Sequence, residues 1–464
     1  MNPPSPRIAA VVLAAGLGTR MKSRTPKLLH PVLGRPMLAY VADAAREVTG
    51  TTPILVTSPA TAAIREAFAG ADVAFVLQDE PRGTGDAVQA ALAAVPPGVE
   101  EILVVNGDVP LVRAETLREL LEQRRLDEAA LAIVAVSTFE PAGLGRVVRS
   151  DQGLVERIVE DKDATQDERE IDEINAGFYT FDASWLRDRI GQLEPSSTTG
   201  ELYLTELVAL ARRDGRLVAS LDLEDDGRLL GINDRAQLAA AEWDMRTELN
   251  QRHMLAGVTM ADPSTAYIEP TVELASDVVL EPNVILRGST RVGQGSVIRA
   301  GSQLFDAVVG RDCVVWASVI ESSELEDGVS VGPFSRIRGG SRIGRGVRVG
   351  NYAEIKNSRL AEGVKQNHFS YLGDADVGTG TNIGAGAITA NWDGVDKHPT
   401  TIGEHVFIGV DTMLIAPVGV GDGAKTGAGA VVTRDVPANR LAVGVPARIR
   451  ELKRKPPEEE PKGP

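Results

Sequence analysis

The sequence predicts two unlike folds in one chain: an α/β domain with a parallel sheet, then a parallel β-solenoid, joined by a long helix. Three observations carry this. A branched aliphatic residue falls at Leu325, Val331, Ile337, Ile343, Val349 and Ile355, six apart without a slip. In the first half, apolar runs alternate with helical patterns, starting with Ile8–Ala15 and ending at Gly16. Between the halves, residues 234–255 are rich in Ala, Glu and Arg and contain no glycine.

In the front domain, residues 7–15 read as a strand buried on both faces. Pro53–Thr57, Val73–Leu77, Ile102–Val105, Ala130–Val136 and Asn175–Phe181 read as further strands. Asp86–Ala94, Ala114–Arg125 and Glu201–Arg213 read as helices, and the alternation implies helices on both faces of the sheet. The domain closes near Ile232, and Asn233-Asp234 supplies a cap for the connecting helix.

A period of six fits neither a helix nor a heptad. It suits a short strand, a turn and another short strand, with the aliphatic side chain inward. The phase returns at Ile402, Ile408, Leu414 and Val420, and the same phase is expected at Val272, Val278 and Val284. Three hexads per coil from about Pro263 to Pro446 give roughly ten coils and a prism ~50 Å long. The beat fails between Ala385 and Thr401, and such insertions map to loops on one face. The boundaries are therefore 1–232, 233–257 and 258–450, with a charged, Pro-rich, disordered tail over 451–464.

A formal charge of −16 over 464 residues argues against nucleic-acid or anionic-membrane binding, so anionic ligands would need local cations or a metal. Cys313 is the single cysteine, which excludes an internal disulfide framework and fits a reducing, cytoplasmic setting. No run approaches the ~18 apolar residues of a membrane span.

Leu13 to Met21 (L-A-A-G-L-G-T-R-M) places a glycine loop at a strand's carboxyl end, where backbone N–H groups meet phosphate. It lacks the Lys-Ser/Thr of a Walker loop; Lys27, after Pro26, is placed to meet phosphate as a point charge. Asn106-Gly107-Asp108 follows a buried strand, and an aspartate at that edge suits Mg²⁺. In the solenoid, N-H-F-S-Y-L-G-D over 367–374 sets His368 and Tyr371 into the turn pattern, near Arg338 and Lys356. A neutral imidazole there could take a proton from an amine attacking a thioester. No Cys or His spacing suggests zinc.

The glycine loop, P-K-L-L, Gln78 with Gly83-Thr84, and G-D-V-P-L resemble the sugar nucleotidyltransferases over residues 7–232. With N-H-F-S-Y-L-G-D, N-I-G-A-G and D-G-V-D-K-H, nearly the whole chain resembles the family of bifunctional N-acetylglucosamine-1-phosphate uridyltransferases/glucosamine-1-phosphate acetyltransferases. The resemblance implies a Rossmann-like nucleotidyltransferase domain and a left-handed hexapeptide β-helix. It implies acetyl-CoA-dependent acetylation of glucosamine-1-phosphate. Mg²⁺-dependent uridyl transfer from UTP to N-acetylglucosamine-1-phosphate follows, supplying precursors of peptidoglycan and lipopolysaccharide. Leu13, Ala14, Ala15, Gly16 and Lys27 would contact UTP or the UDP-sugar, with Arg20 near the triphosphate, and Gln78, Gly83 and Thr84 would read the uracil. Asp108 and Asn233 would hold Mg²⁺; Asn106, Gly107, Gly145, Glu160 and Asn175 would complete the substrate site. Arg338 and Lys356 would take the sugar phosphate of the second reaction, and Tyr371 and Asn382 its sugar. His368 would be the general base, with Ala385, Asn391, Trp392, Val410, Ala428 and Arg448 at acetyl-CoA. Acetyl sites of this family lie between the solenoids of a homotrimer. Trp392, Val410, Asn106 and the Gly444–Arg448 stretch depart from the family pattern. The alternatives are a nucleotidyltransferase whose solenoid serves only assembly, and a non-catalytic subunit with a degenerate pocket.

Overall fold

A computed structural model of the chain describes residues 7–451. The tail expected over 451–464 therefore falls outside the described residues except for Glu451, which ends the strand Arg448–Glu451. The chain divides into two compact units after Met245. That division lies inside one unbroken helix, Arg235–Leu255, whose first turn is capped by Asp234 Oδ1 accepting from the amides of Ala236 and Gln237, both at 2.9 Å. No helix breaker marks the point, so the sequence offers no signal for it.

The first unit is built on a nine-stranded sheet. Its main path runs Val218–Glu224, Leu131–Ser137, Glu173–Asp182, Glu101–Asn106, Ile8–Leu13, Ile54–Thr57, Ala74–Leu77. Glu173–Asp182 is antiparallel to both neighbours and the other pairs on the path are parallel. Period-two alternation feeds both faces. Ala9 and Val11 join one core with Ala87, Val88, Leu207 and Val208 from the helices Thr84–Ala91 and Glu206–Arg213. Ala10 and Val12 are buried towards the other face, where the helices Met37–Thr49 and Ala114–Leu126 pack. The helix expected from Glu201 begins only at Glu206. Leu202 is instead tied to the Gly83 loop, donating to the Arg82 carbonyl at 2.7 Å and accepting from Gly85 N–H at 2.8 Å.

The second unit is a stack of short parallel strands in three sheets, of twelve, ten and nine strands, which make the three faces of the left-handed β-helix. One inward column runs Leu280, Ile298, Val315, Val331, Val349, Gln366, Ile383 and Ile408. Val272, Val278 and Val284 are buried but do not belong to that phase. They stand two residues earlier, in the columns that turn each corner; Val278 shares its column with Ser296 and Cys313. Residues i and i+2 of a strand face the same way, so both positions are interior and sequence alone confuses them. Some sides are five residues long, as from Val315 to Ile320 to Leu325, so the strict beat covers only part of the stack.

The corner position is mostly Ser, Thr, Ala or Val for a physical reason. A buried turn leaves backbone groups to satisfy. At Ser318, the hydroxyl donates to the Trp316 carbonyl at 2.7 Å and accepts the amide of Ser335, one coil on, at 3.1 Å. Thr290 and Ser358 do the same for their corners, whereas Ser296, Ser335 and Thr381 accept the next coil's amide and donate to a carbonyl of that next coil, Gly310, Gly350 and Gly403.

Coils approach closest where glycine follows the inward residue. A Cβ on Gly350 would overlap the carbonyl of Asn367, while its N–H donates to Gln366 O at 2.8 Å. Gly350→Ala should therefore cost about 1–3 kcal/mol of solenoid stability through overpacking, read as a lowered midpoint in thermal or urea unfolding of the whole chain. An unchanged midpoint would mean that the coils have room there.

Candidate functional sites

In the first unit Leu13 and Asn106 are register partners, so the loops after their strands open at one carboxyl edge of the sheet. Gly107 N–H donates to the Leu13 carbonyl at 3.0 Å, tying the loops together. After Pro26, the turn Lys27–Leu29 sends the lysine stem over Gly18. Gly18 has φ +60°, and a Cβ there would overlap the Lys27 Cβ. This glycine is thus needed for the lysine as well as for the turn. Lys27 is 9% exposed, and its ammonium donates to Asp108 Oδ2 at 2.6 Å and Asn233 Oδ1 at 2.8 Å. Arg20 donates to the same Asn233 oxygen at 2.7 Å.

These four residues line a cavity of about 540 Å³ together with Leu13, Ala15, Gly16, Gln78, Gly83, Thr84, Asn106 and Gly107. Ala14 does not reach it; it is buried beneath, its N–H donating to Val56 O at 2.9 Å. Gln78 commits its Nε2 to Asp86 Oδ2 at 2.6 Å and to the Gly83 carbonyl at 3.1 Å. Glu201 also lines the cavity and was missed, because no motif surrounds it.

Gly145, Glu160 and Asn175 form a neighbouring group rather than part of that wall. Asn175 N–H donates to Gly145 O at 2.9 Å, and Thr205 Oγ1 donates to Glu160 Oε1 at 3.0 Å. Burial pushes the Glu160 carboxyl above the usual range, against the opposing Thr205 hydrogen bond. The two groups are linked by one segment, since Leu204 N–H donates to Thr84 Oγ1 at 2.9 Å just before Thr205. Among the described residues no three His, Cys, Asp or Glu side chains gather as a metal cluster. Asp108 and Asn233 nevertheless present two oxygens to one compact cation, the Lys27 ammonium. Such a pair fits a hard divalent ion that completes its shell with phosphate and water.

In the second unit His368 stands exposed at the corner between the twelve- and ten-stranded faces. The same corner position in the next three coils holds Ala385, Val410 and Ala428. Asp411 N–H donates to Ala385 O at 2.7 Å and Gly429 N–H to Val410 O at 2.8 Å, locking the corners in register. With ~4.8 Å per coil, His368 and Ala428 bound a strip ~14 Å long. On the ten-stranded face, Arg338 and Lys356 are register partners, and Glu354 pairs with Tyr371 in the next coil. Arg338 is not a lone cation, because it donates to Glu354 Oε1 at 2.9 Å. Tyr371 lies over Gly373, where a Cβ would overlap its hydroxyl.

The inserted loop returns to this face. Asn391 is buried and donates to Asp374, which also accepts from Asn357 at 2.6 Å. Burial raises the Asp374 carboxyl, but the Asn357 and Asn391 amides with Lys397 and Lys356 draw it below its ordinary value. Lys397 lowers the Lys356 ammonium by hydrogen bond and charge. Lys397 stands within D-G-V-D-K-H, where no local pattern marks it as a cation of the site, and its distance from Lys356 in the chain hides the pairing. Trp392 is exposed on this loop and bridges Lys397. Two expected residues lie elsewhere. Asn382 is on the twelve-stranded face, paired with Lys365, and Arg448 lies in the terminal hairpin, lining a cavity of about 440 Å³ with Arg434.

The MobA-like NTP transferase domain matches residues 10–172, and the bacterial transferase hexapeptide (six repeats) matches residues 322–357. The chain is 43% identical to the bifunctional protein GlmU of Pelobacter propionicus, over 94% of this chain and 95% of that one. It is 44% identical to the bifunctional protein GlmU of Kineococcus radiotolerans, over 95% of this chain and 90% of that one. The GlmU of Streptococcus equi subsp. zooepidemicus is 42% identical over 94% of each chain. With two transferase folds and likeness along nearly its full length, the chain belongs to the bifunctional GlmU family.

Proposed function

We propose that this bifunctional transferase makes UDP-N-acetylglucosamine by acetyl transfer in the solenoid and uridyl transfer in the α/β unit. The observation that carries the reading is the convergence of Lys27 and Arg20 on Asp108 and Asn233 beside an open glycine loop. On a chain of net charge −16, such a buried cation at a sheet edge is suited to a polyphosphate. The N-acetylglucosamine-1-phosphate oxygen attacks the α-phosphorus of UTP, and the bond to the β-phosphate breaks to release pyrophosphate. Lys27 and Arg20 neutralise charge on the phosphates, Gln78 Oε1 is left to accept the uracil N–H, and Glu160 with Asn175 orients the sugar. Mg²⁺, held by Asp108 and Asn233, supplies further charge neutralisation when bound.

In the solenoid, Arg338, Lys356 and Lys397 hold the phosphate of glucosamine-1-phosphate. Tyr371 orients its ring. His368 takes the proton as the amine attacks the acetyl-CoA carbonyl carbon; the C–S bond breaks and the thiolate leaves. Ala385, Val410 and Ala428 give the thioester arm an open strip above His368. The same geometry supports reading the assembly as a homotrimer. Asn382 and Tyr371 lie on different faces of the prism, and the edge between those faces exposes Trp316, Phe334, Tyr352 and Phe369. A neighbouring copy would cover these rings and complete the site. The protein acts in the cytoplasm.

Lys27→Ala should cut uridyl transfer at least about 100-fold while leaving acetyl transfer intact, read as pyrophosphate release against thiol release. His368→Ala should do the reverse; equal loss of both activities in either variant would sink the two-site reading. Glu160→Gln separates binding from folding. Burial raises this carboxyl, so its ionised form opposes folding above the folded pKa; the penalty fades as pH falls through that raised value and is gone below the ordinary carboxylate value of about 4.3. The variant should melt higher than the native chain at neutral pH, lose that advantage in acid, and show a raised KM for N-acetylglucosamine-1-phosphate.

A further inference from the structure

Gln366 breaks the rule of its column. Leu280, Ile298, Val315, Val331 and Val349 precede it and Ile383 and Ile408 follow, yet Gln366 is 0% exposed and carries an amide. Its Oε1 finds no hydrogen-bond partner among the described residues. A buried amide with an unmet oxygen opposes folding, so it needs another account. Its Nε2 supplies one. It donates to Ser370 Oγ at 3.0 Å, and Ser370 Oγ donates to the His368 carbonyl at 2.9 Å.

The comparison within the same corner column is informative. Ser318 and Ser335 each accept the amide of the residue one coil on, Ser335 and Ala353, both at 3.1 Å. With that amide in place, the Ser318 hydroxyl donates to Trp316 O at its own corner and the Ser335 hydroxyl to Gly350 O in the next coil. At Ser370 the corresponding amide, Ala387 N–H, turns instead to Gly384 O at 3.2 Å. The glutamine amide takes the vacated place.

We infer that Gln366 is a positioning residue for acetyl transfer, fixing the His368 backbone from inside the solenoid through Ser370. The inference rests on His368 being the general base. It explains why an aliphatic column tolerates an amide at the coil that bears the imidazole. Two other inward positions break the pattern nearby: Thr389 Oγ1 accepts from Gly373 N–H at 2.7 Å beneath Tyr371, and Thr426 Oγ1 accepts from Gly409 N–H at 2.8 Å beside Val410. Polar groups thus enter the core where the site's turns need holding.

The test is Gln366→Met and Ser370→Ala in the full chain, singly and together. Methionine keeps the length and removes the donor, and alanine is native to the Ser370 column at Ala353 and Ala387. Each variant should lower kcat of acetyl transfer about ten-fold, with KM for both substrates within about two-fold, and with the melting temperature unchanged or raised. The double variant should be no slower than the worse single, because both cut one path. Native kcat in Gln366→Met, additive losses in the double variant, or losses that track a fallen melting temperature would each overturn the relay. His368→Ala, run beside them, separates the two ideas: retained acetyl transfer there refutes the general base, whereas its loss with a native Gln366→Met refutes only the relay.

Discussion

Strands of two to four residues have almost no geometry of their own, so the second unit depends on a single constraint: every coil must turn three corners while leaving no backbone group unmet. The corner hydroxyls meet it by accepting an amide from the next coil and donating to a carbonyl of their own corner, as at Ser318, or of that next coil, as at Ser335. Each coil is then registered on its neighbour by side chain as well as by ladder. A side chain at one corner is repeated, coil after coil, at a fixed spacing. The stack is therefore a ruler, and the strip from His368 to Ala428 is a set of marks on it. Loops in ordinary domains would need their own contacts to reach that order.

In the first unit the corresponding constraint is steric. The lysine that reaches the sheet edge must cross the glycine loop, and Gly18 provides the crossing. The loop and the charge are one device, because a side chain at Gly18 would displace the stem that carries the ammonium. The result is a cation held by two oxygens and nearly removed from solvent, in a protein whose overall charge repels phosphate. A local field of that kind is worth more than the same charge on a solvated surface.

Much of this was legible in the sequence, for identifiable reasons. Buried parallel strands read as apolar runs, and Lys27, Asp108 and His368 each stood at a break in such a pattern. The inward columns from Leu325 to Ile355 were read correctly because each hexad there is complete. Val272, Val278 and Val284 misled, since corner and strand interiors are both buried and valine serves in either. The start of the helix Glu206–Arg213 misled too, because Leu202 is tied by its backbone to Arg82 and Gly85 and Leu204–Thr205 form a turn, a tertiary override of helical propensity. Lys397 and Glu201 escaped for a third reason: their partners lie on other segments, and single residues without a local pattern carry no signal. Gln366 was visible as the one amide in an aliphatic column, but its meaning required knowing that the next coil's amide had turned away.

The location of His368 on a convex edge has a consequence for how the proposed acetyl site can work. An edge of a prism gives a substrate one wall at most, and the faces on either side diverge, so side chains such as Asn382 and Tyr371 cannot close on a common ligand from one copy. Water would remain, and a thioester aminolysis needs the amine held against the carbonyl rather than competing with solvent. Enclosure has to come from a second surface. The exposed rings of Trp316, Phe334, Tyr352 and Phe369 occupy that same edge, with Phe334 and Tyr352 stacked at 5.5 Å. Burying them against another copy would supply both the driving force for association and the missing wall. On this argument assembly and acetyl-transfer activity have one cause, while the first unit's cavity carries its cations, its glycine loop and Gln78 within a single chain.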